Sequence, residues 1–135
     1  MKAAKLLVIA GMVFLIASCG IVDGFGEKSL SGYYEGTFER FVDGNSEGIA
    51  EVSLNFEGFN YNGLSEEPRY PVICSGNYSI KRKTISFSNT CNFTADFDWT
   101  LILNGDWRIE ENDDNLILSR SEGQVVDWYR LKKVE

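Results

Sequence analysis

From Leu30 to Leu131, apolar and polar side chains alternate along the chain, with Gly, Asn and Asp clusters about every eight to twelve residues. A period of two marks half-buried strands, and a segment written in it does not gather its apolar residues on one helical face. Ala50, Val52, Leu54 and Phe56 alternate with Glu51, Ser53, Asn55 and Glu57, giving a strand one greasy and one wet face. Tyr34, Gly36 and Phe38 alternate in the same way with Glu35, Thr37 and Glu39. Further sets are Trp99, Leu101 and Leu103, then Trp107 and Ile109, then Leu116 and Leu118, with a last strand over Val125–Leu131. Pro68 and Pro71 confine their stretch to a loop or a strand start, because proline donates nothing to a ladder.

The pattern also sets register. Folding the chain back at Arg82 places Ile80 opposite Ile85, Tyr78 opposite Phe87, Gly76 opposite Asn89 and Cys74 opposite Cys91. Opposed Cα atoms in an antiparallel pair lie about 4.5–5.5 Å apart, within disulfide reach. Lys81, Arg82 and Lys83 are then the solvated turn region, and a Cys74–Cys91 bridge staples the hairpin, worth about 3 kcal/mol in the chain-entropy account. At Asn104-Gly105, a loop with one extra residue pairs Leu103 with Trp107 and Leu101 with Ile109. A turn centred on Asn112-Asp113 sets Ile109 opposite Leu116 and Trp107 opposite Leu118. Consecutive hairpins without helices to cover them bury their apolar face by curling shut. The fold expected is all-β, a single antiparallel up-and-down barrel of about eight strands, with a β-sandwich as the alternative. A barrel of that size is either filled by side chains or holds one small ligand.

The first 18 residues read differently. Lys2 and Lys5 precede an apolar run from Leu6 to Ala17, and small residues lead into Cys19. That is the layout of a secretory signal, and the run falls short of the about 20 residues that span a bilayer. Ile16-Ala17-Ser18-Cys19 resembles the lipobox of bacterial lipoproteins, which implies cleavage before Cys19, acylation of its thiol with palmitate-type chains and a membrane anchor. Of three cysteines, one assigned to lipid leaves Cys74 and Cys91 as a pair in an oxidising compartment. Gly20 follows the anchor, so nothing resembles an inner-membrane retention aspartate, and the expected location is the cell envelope at the outer membrane. The expected organisation is a signal peptide over 1–18, a lipidated tether over 19–28 and a barrel domain over 29–135.

Charge and composition narrow the chemistry. The precursor has 13 basic and 20 acidic side chains; losing Lys2 and Lys5 with the leader takes the net charge from −7 to −9. Nucleic acid and anionic headgroups repel such a surface, so no nucleic-acid partner is expected. There is no histidine, which removes histidine bases, Ser-His-Asp triads and histidine-ligated zinc. Asp43-Gly44-Asn45-Ser46-Glu47-Gly48 copies the first half of a calcium loop, yet its twelfth position is Leu54 and a hairpin turn uses the same residue types. Glu110, Glu111, Asp113 and Asp114 straddle an expected turn, where acids are simply solvated. No catalytic residue, metal or cofactor is expected, and the reading is of a protein that is not an enzyme.

Leu30-Ser31-Gly32-Tyr33-Tyr34, Trp99–Trp107 and Asp127-Trp128-Tyr129-Arg130-Leu131 together resemble a bacterial lipocalin-like lipoprotein, a small calycin-type barrel. Lipocalins open with Gly-x-Trp, whose tryptophan is covered by a basic residue of the final strand. Here Tyr34 holds that place and Arg130 is the cation the resemblance assigns to it. The resemblance implies binding. Tyr34, Phe56, Tyr78, Phe87, Trp99, Trp107 and Trp128 either line a cavity for a small hydrophobic ligand or pack the barrel, and in so small a domain packing is the simpler outcome. The expected partners are the membrane, through the anchor, and a small hydrophobic ligand. The alternative is an inhibitor of a basic hydrolase such as lysozyme, which an acidic surface suits. The pattern leaves oligomeric state open.

Overall fold

The computed structural model describes residues 28–94 and 96–134. Eight strands form a closed antiparallel barrel whose spatial order is the chain order. They are β1 (Gly32–Val42), β2 (Asn45–Glu57), β3 (Asn60–Ser65), β4 (Ser75–Lys81), β5 (Thr84–Asn89), β6 (Gly105–Asn112), β7 (Asn115–Glu122) and β8 (Val125–Val134). Closure comes from β8 against β1, in register from Tyr33 opposite Val134 to Val42 opposite Val125. The barrel, not the sandwich, is the outcome.

Alternation becomes an inside and an outside. Phe38, Leu54, Phe56, Tyr61, Ile85, Leu118 and Tyr129 are fully buried within, while Glu35, Glu51 and Asn55 look outward. A membrane-spanning barrel has the reverse pattern, with apolar side chains toward lipid. Gly36 is where β1 and β8 approach most closely. A β-carbon there would lie 1.9 Å from the Arg130 carbonyl oxygen, so only glycine fits. The β1–β2 connection is the two-residue turn Asp43-Gly44, both left-handed at φ 52° and 78°, as a tight hairpin requires. The half calcium loop is therefore this turn and the start of β2.

Register in the β4–β5 hairpin is as the alternation requires, Ile80 opposite Ile85 and Gly76 opposite Asn89, with Lys81 opposite Thr84 across an Arg82-Lys83 turn. The Cys74–Cys91 disulfide lies just beyond the last rung, with its Cα atoms 6.3 Å apart.

Two registers differ from expectation. Asn112 pairs with Asn115, so Ile109 faces Leu118 rather than Leu116, a slip of two that keeps every side chain on its own face. The two-residue Asp113-Asp114 turn, with Asp113 at φ 53°, is what moves it. The larger correction concerns Trp99–Leu103, which is no strand. Trp99–Leu101 is one 3₁₀ turn, capped by the Asp98 carboxylate accepting from the Thr100 N–H at 3.0 Å. Trp107 consequently faces Ile85 on β5.

The barrel has two unlike ends. At one, here the turn end, lie the tight connections β2–β3, β4–β5 and β6–β7 and the incoming segment from Lys28. At the other, the loop end, lie the long connections 66–74 and 90–104. A parallel bridge between Val72 and Ile102 joins those loops to each other.

Candidate functional site

Both mouths of the barrel are stoppered. At the turn end Leu30 is 3% exposed and plugs the opening. The Tyr78 hydroxyl accepts from the Leu30 N–H at 2.8 Å and donates to the Gly58 carbonyl at 2.5 Å, tying plug to rim. At the loop end a charged cluster does the same work. The guanidinium of Arg40 donates twice to Asp127, at 2.7 and 2.8 Å, and also reaches Asp98 at 3.1 Å and the Thr100 hydroxyl at 2.9 Å. Arg120 donates to the carbonyls of Thr100 at 2.8 Å and Asn104 at 3.0 Å while lying 4.2 Å above the Trp107 ring. Two arginines thus clamp the 98–104 segment across the opening.

Burial pushes the Arg40–Asp127 pair toward strong mutual dependence, since neither charge has water to fall back on. The hydrogen bond to Asp127 raises the Arg40 pKa, outweighing the burial that lowers it. The Thr100 hydroxyl, donating at 2.6 Å, holds the Asp98 carboxyl below its usual range. The Tyr70 hydroxyl adds a stitch, accepting from the Arg40 N–H at 3.0 Å and donating to the Gly48 carbonyl at 2.7 Å.

Between the stoppers the interior is filled. Tyr34, Phe56, Tyr78 and Phe87 are buried, with Phe56 edge-on to Tyr34 at 5.7 Å and to Tyr78 at 5.2 Å, and Phe87 tilted against Tyr78 at 6.4 Å. Trp107 packs edge-on against Tyr129 at 5.2 Å. The other two aromatics of the expected set lie elsewhere. Trp128 faces outward on β8 beneath Arg130, 5.1 Å away. Trp99 is 55% exposed on the loop end. Arg130 does not cover Tyr34: it sits opposite Thr37, on the outer wall, and pairs with Glu39. Lys133 is the residue opposite Tyr34, and the tryptophan that does carry an arginine across the mouth is Trp107.

The concavities lie on the outside. One, about 390 Å³, runs along the β1–β3 wall between Tyr33, Glu35, Glu51, Leu64 and Glu66. It meets, at Leu64 and Ser65, a second of about 420 Å³ between the two long loops, lined by Glu67, Pro71, Ile73, Phe93 and Phe97. A third of about 310 Å³ lies on the far side of Phe93, against Trp99 and Asn104. Phe93, Phe97 and Trp99 form a ridge between them, Trp99 stacked on Phe97 at 5.6 Å and 11°. Phe93 and Phe97 escaped the sequence reading because no alternation marks them; their signal was an unexplained aromatic cluster in a segment without strand pattern.

Among the described residues, no group of three or more acidic or thiol side chains is arranged to hold a metal ion. Cys19 lies outside the described residues. No known family, no curated protein and no solved structure matches the chain.

Proposed function

We propose that this chain is a lipid-anchored, non-catalytic lipoprotein of the cell envelope, a lipocalin-like barrel that acts by surface recognition instead of carrying a ligand inside. The observation that supports it best is the filled barrel with both mouths stoppered, by Leu30 below and the Arg40–Asp127–Arg120 cluster above. A carrier of this architecture needs an opening and a hollow of a few hundred Å³. Here the usable concavities are on the outer wall and between the loops. The inhibitor reading gains from this, since an inhibitor presents its surface.

The anchor rests on the Ile16-Ala17-Ser18-Cys19 lipobox resemblance and on the Cys74–Cys91 bridge, which uses the other two of the three cysteines. Acyl chains at Cys19 supply membrane affinity, and the chain enters the barrel at the turn end, so the loop end points away from the bilayer. Cys19→Ala is expected to move the protein from the membrane pellet to the soluble fraction; retention in the pellet overturns the anchor. Native mass spectrometry of the purified protein is expected to show the acylated polypeptide alone. A stoichiometric lipid or pigment released on unfolding would restore the carrier.

A further inference from the structure

The outer track just described has a consistent chemistry. Among the described residues its wall groove is lined by three carboxylates, Glu35, Glu51 and Glu66, and by no lysine or arginine. The backbone brings two of them together, the Glu66 N–H donating to the Glu51 carbonyl at 2.9 Å. Glu67 continues the line into the groove between the loops, where Arg69 is the one cation among the described residues, 5.9 Å from the Phe97 ring. None of Glu35, Glu51, Glu66 and Glu67 forms an ion pair among the described residues, although Lys132 is the cross-strand neighbour of Glu35. Lys28, Lys81, Lys83, Lys132 and Lys133, all the described lysines, lie toward the turn end. Large apolar side chains punctuate the acids: Leu64 is 72% exposed at the junction of the two grooves, and Trp99 ends the track.

Resting on the surface-recognition reading, we infer that this track is the docking surface for an extended, lysine- or arginine-rich segment of a partner protein that also bears apolar side chains. Unpaired carboxylates complement its cations, and the grooves on either side of Phe93 take its apolar side chains, with Trp99 as the aromatic anchor of the kind that dominates interface energies. An anionic polymer is repelled by the same carboxylates. A neutral bilayer that received Trp99 would have to desolvate Glu67, in the groove lined by the Phe97 on which Trp99 stacks.

The test uses the full chain purified in neutral detergent and a fluorescein-labelled dodecapeptide of alternating lysine and tyrosine, read by anisotropy. Two comparison peptides replace every lysine by glutamate or every tyrosine by serine. The lysine–tyrosine peptide is expected to bind and both comparison peptides to bind at least about tenfold more weakly. Trp99→Ala is expected to weaken binding about tenfold. Glu51→Gln with Glu66→Gln is expected to weaken it severalfold and flatten its salt dependence. Glu110→Gln with Asp113→Asn, at the turn end, is expected to change nothing. These side chains are exposed, so the variants fold, which near-ultraviolet circular dichroism verifies. Absence of peptide binding, equal binding of the glutamate peptide, or Trp99 entering phosphatidylcholine vesicles in place of binding peptide each overturns the proposal. Wild-type binding by the Trp99 and Glu51/Glu66 variants removes this docking surface while leaving recognition elsewhere on the surface standing; an enclosed ligand found by native mass spectrometry instead removes the reading beneath it.

Discussion

Tyr129 sits at the centre of the barrel, fully buried against Phe38 and Trp107, and its hydroxyl has no hydrogen-bonding partner among the described residues. Desolvation pushes its pKa far above the usual phenol value, with Asp127 adding to the effect. An unpartnered buried hydroxyl carries its desolvation cost without return, whereas Tyr78 and Tyr61 recover theirs through bonds to backbone. Tyr129→Phe is therefore expected to leave stability unchanged or raise it by about 1 kcal/mol in urea unfolding. A loss of 2 kcal/mol or more would mean that the hydroxyl has a partner after all. The Arg40–Asp127 pair is the opposite case at the same depth. Removing one partner strands the other charge, which typically costs about 3–5 kcal/mol.

At the scale of elements, the loop end is built from the two connections that depart most from the hairpin rule. Each passes beside the disulfide: Cys74 ends the 66–74 loop and Cys91 starts the 90–104 loop. Replacing both cysteines by alanine is expected to cost about 3 kcal/mol and to raise hydrogen exchange at Val72 and Leu103 before that of the β1–β8 ladder. Those amides close the loop-to-loop hydrogen bonds, Val72 N–H to the Leu101 carbonyl and Leu103 N–H to the Val72 carbonyl. Uniform protection loss would show that the bridge holds no particular region. The same contrast explains what could be read from the residues. In β1, β2, β4, β5 and β8, one face is buried continuously, so period-two patterning was legible, and in the β4–β5 hairpin so was the register, down to the position of the two cysteines. Trp99, Leu101 and Leu103 carry the same alternation by coincidence. A local cap from Asp98 and the demands of Arg40 and Arg120 for the Thr100 carbonyl and hydroxyl decide that segment, and these partners lie 20 and 60 residues away in sequence. The outer track was illegible for a related reason: the β2–β3 hairpin brings Glu51 to Glu66, but the groove they begin reaches Phe93 only through the packing of the two long loops.

At the scale of the molecule, tyrosines make the barrel sensitive to alkali. Burial lifts the Tyr61 phenol to about 12, and Tyr34, Tyr70, Tyr78 and Tyr129 are also raised, chiefly by desolvation. Below pH 10 these groups are neutral whether the chain is folded or not, and their contribution is fully present. Above it the unfolded chain releases protons that the folded barrel retains, so stability falls as pH rises toward 12. Tyr61 alone contributes about 1.4 kcal/mol of loss per pH unit across that window. Tyrosinate absorbance is expected to appear in one step with loss of near-ultraviolet ellipticity between pH 10 and 12; gradual titration of all tyrosines in an intact fold would contradict it. Chain order offers a different handle. Because Val134 ends beside Tyr33 and every ladder except the closing β1–β8 one joins sequence neighbours, joining the two ends of the barrel and reopening it at Gly123-Gln124 preserves all the original pairings except the turn itself. If Cys19 carries the anchor proposed above, such a circular permutant, given the same leader, would hang upside down, its long loops pressed to the bilayer and its lysines turned outward.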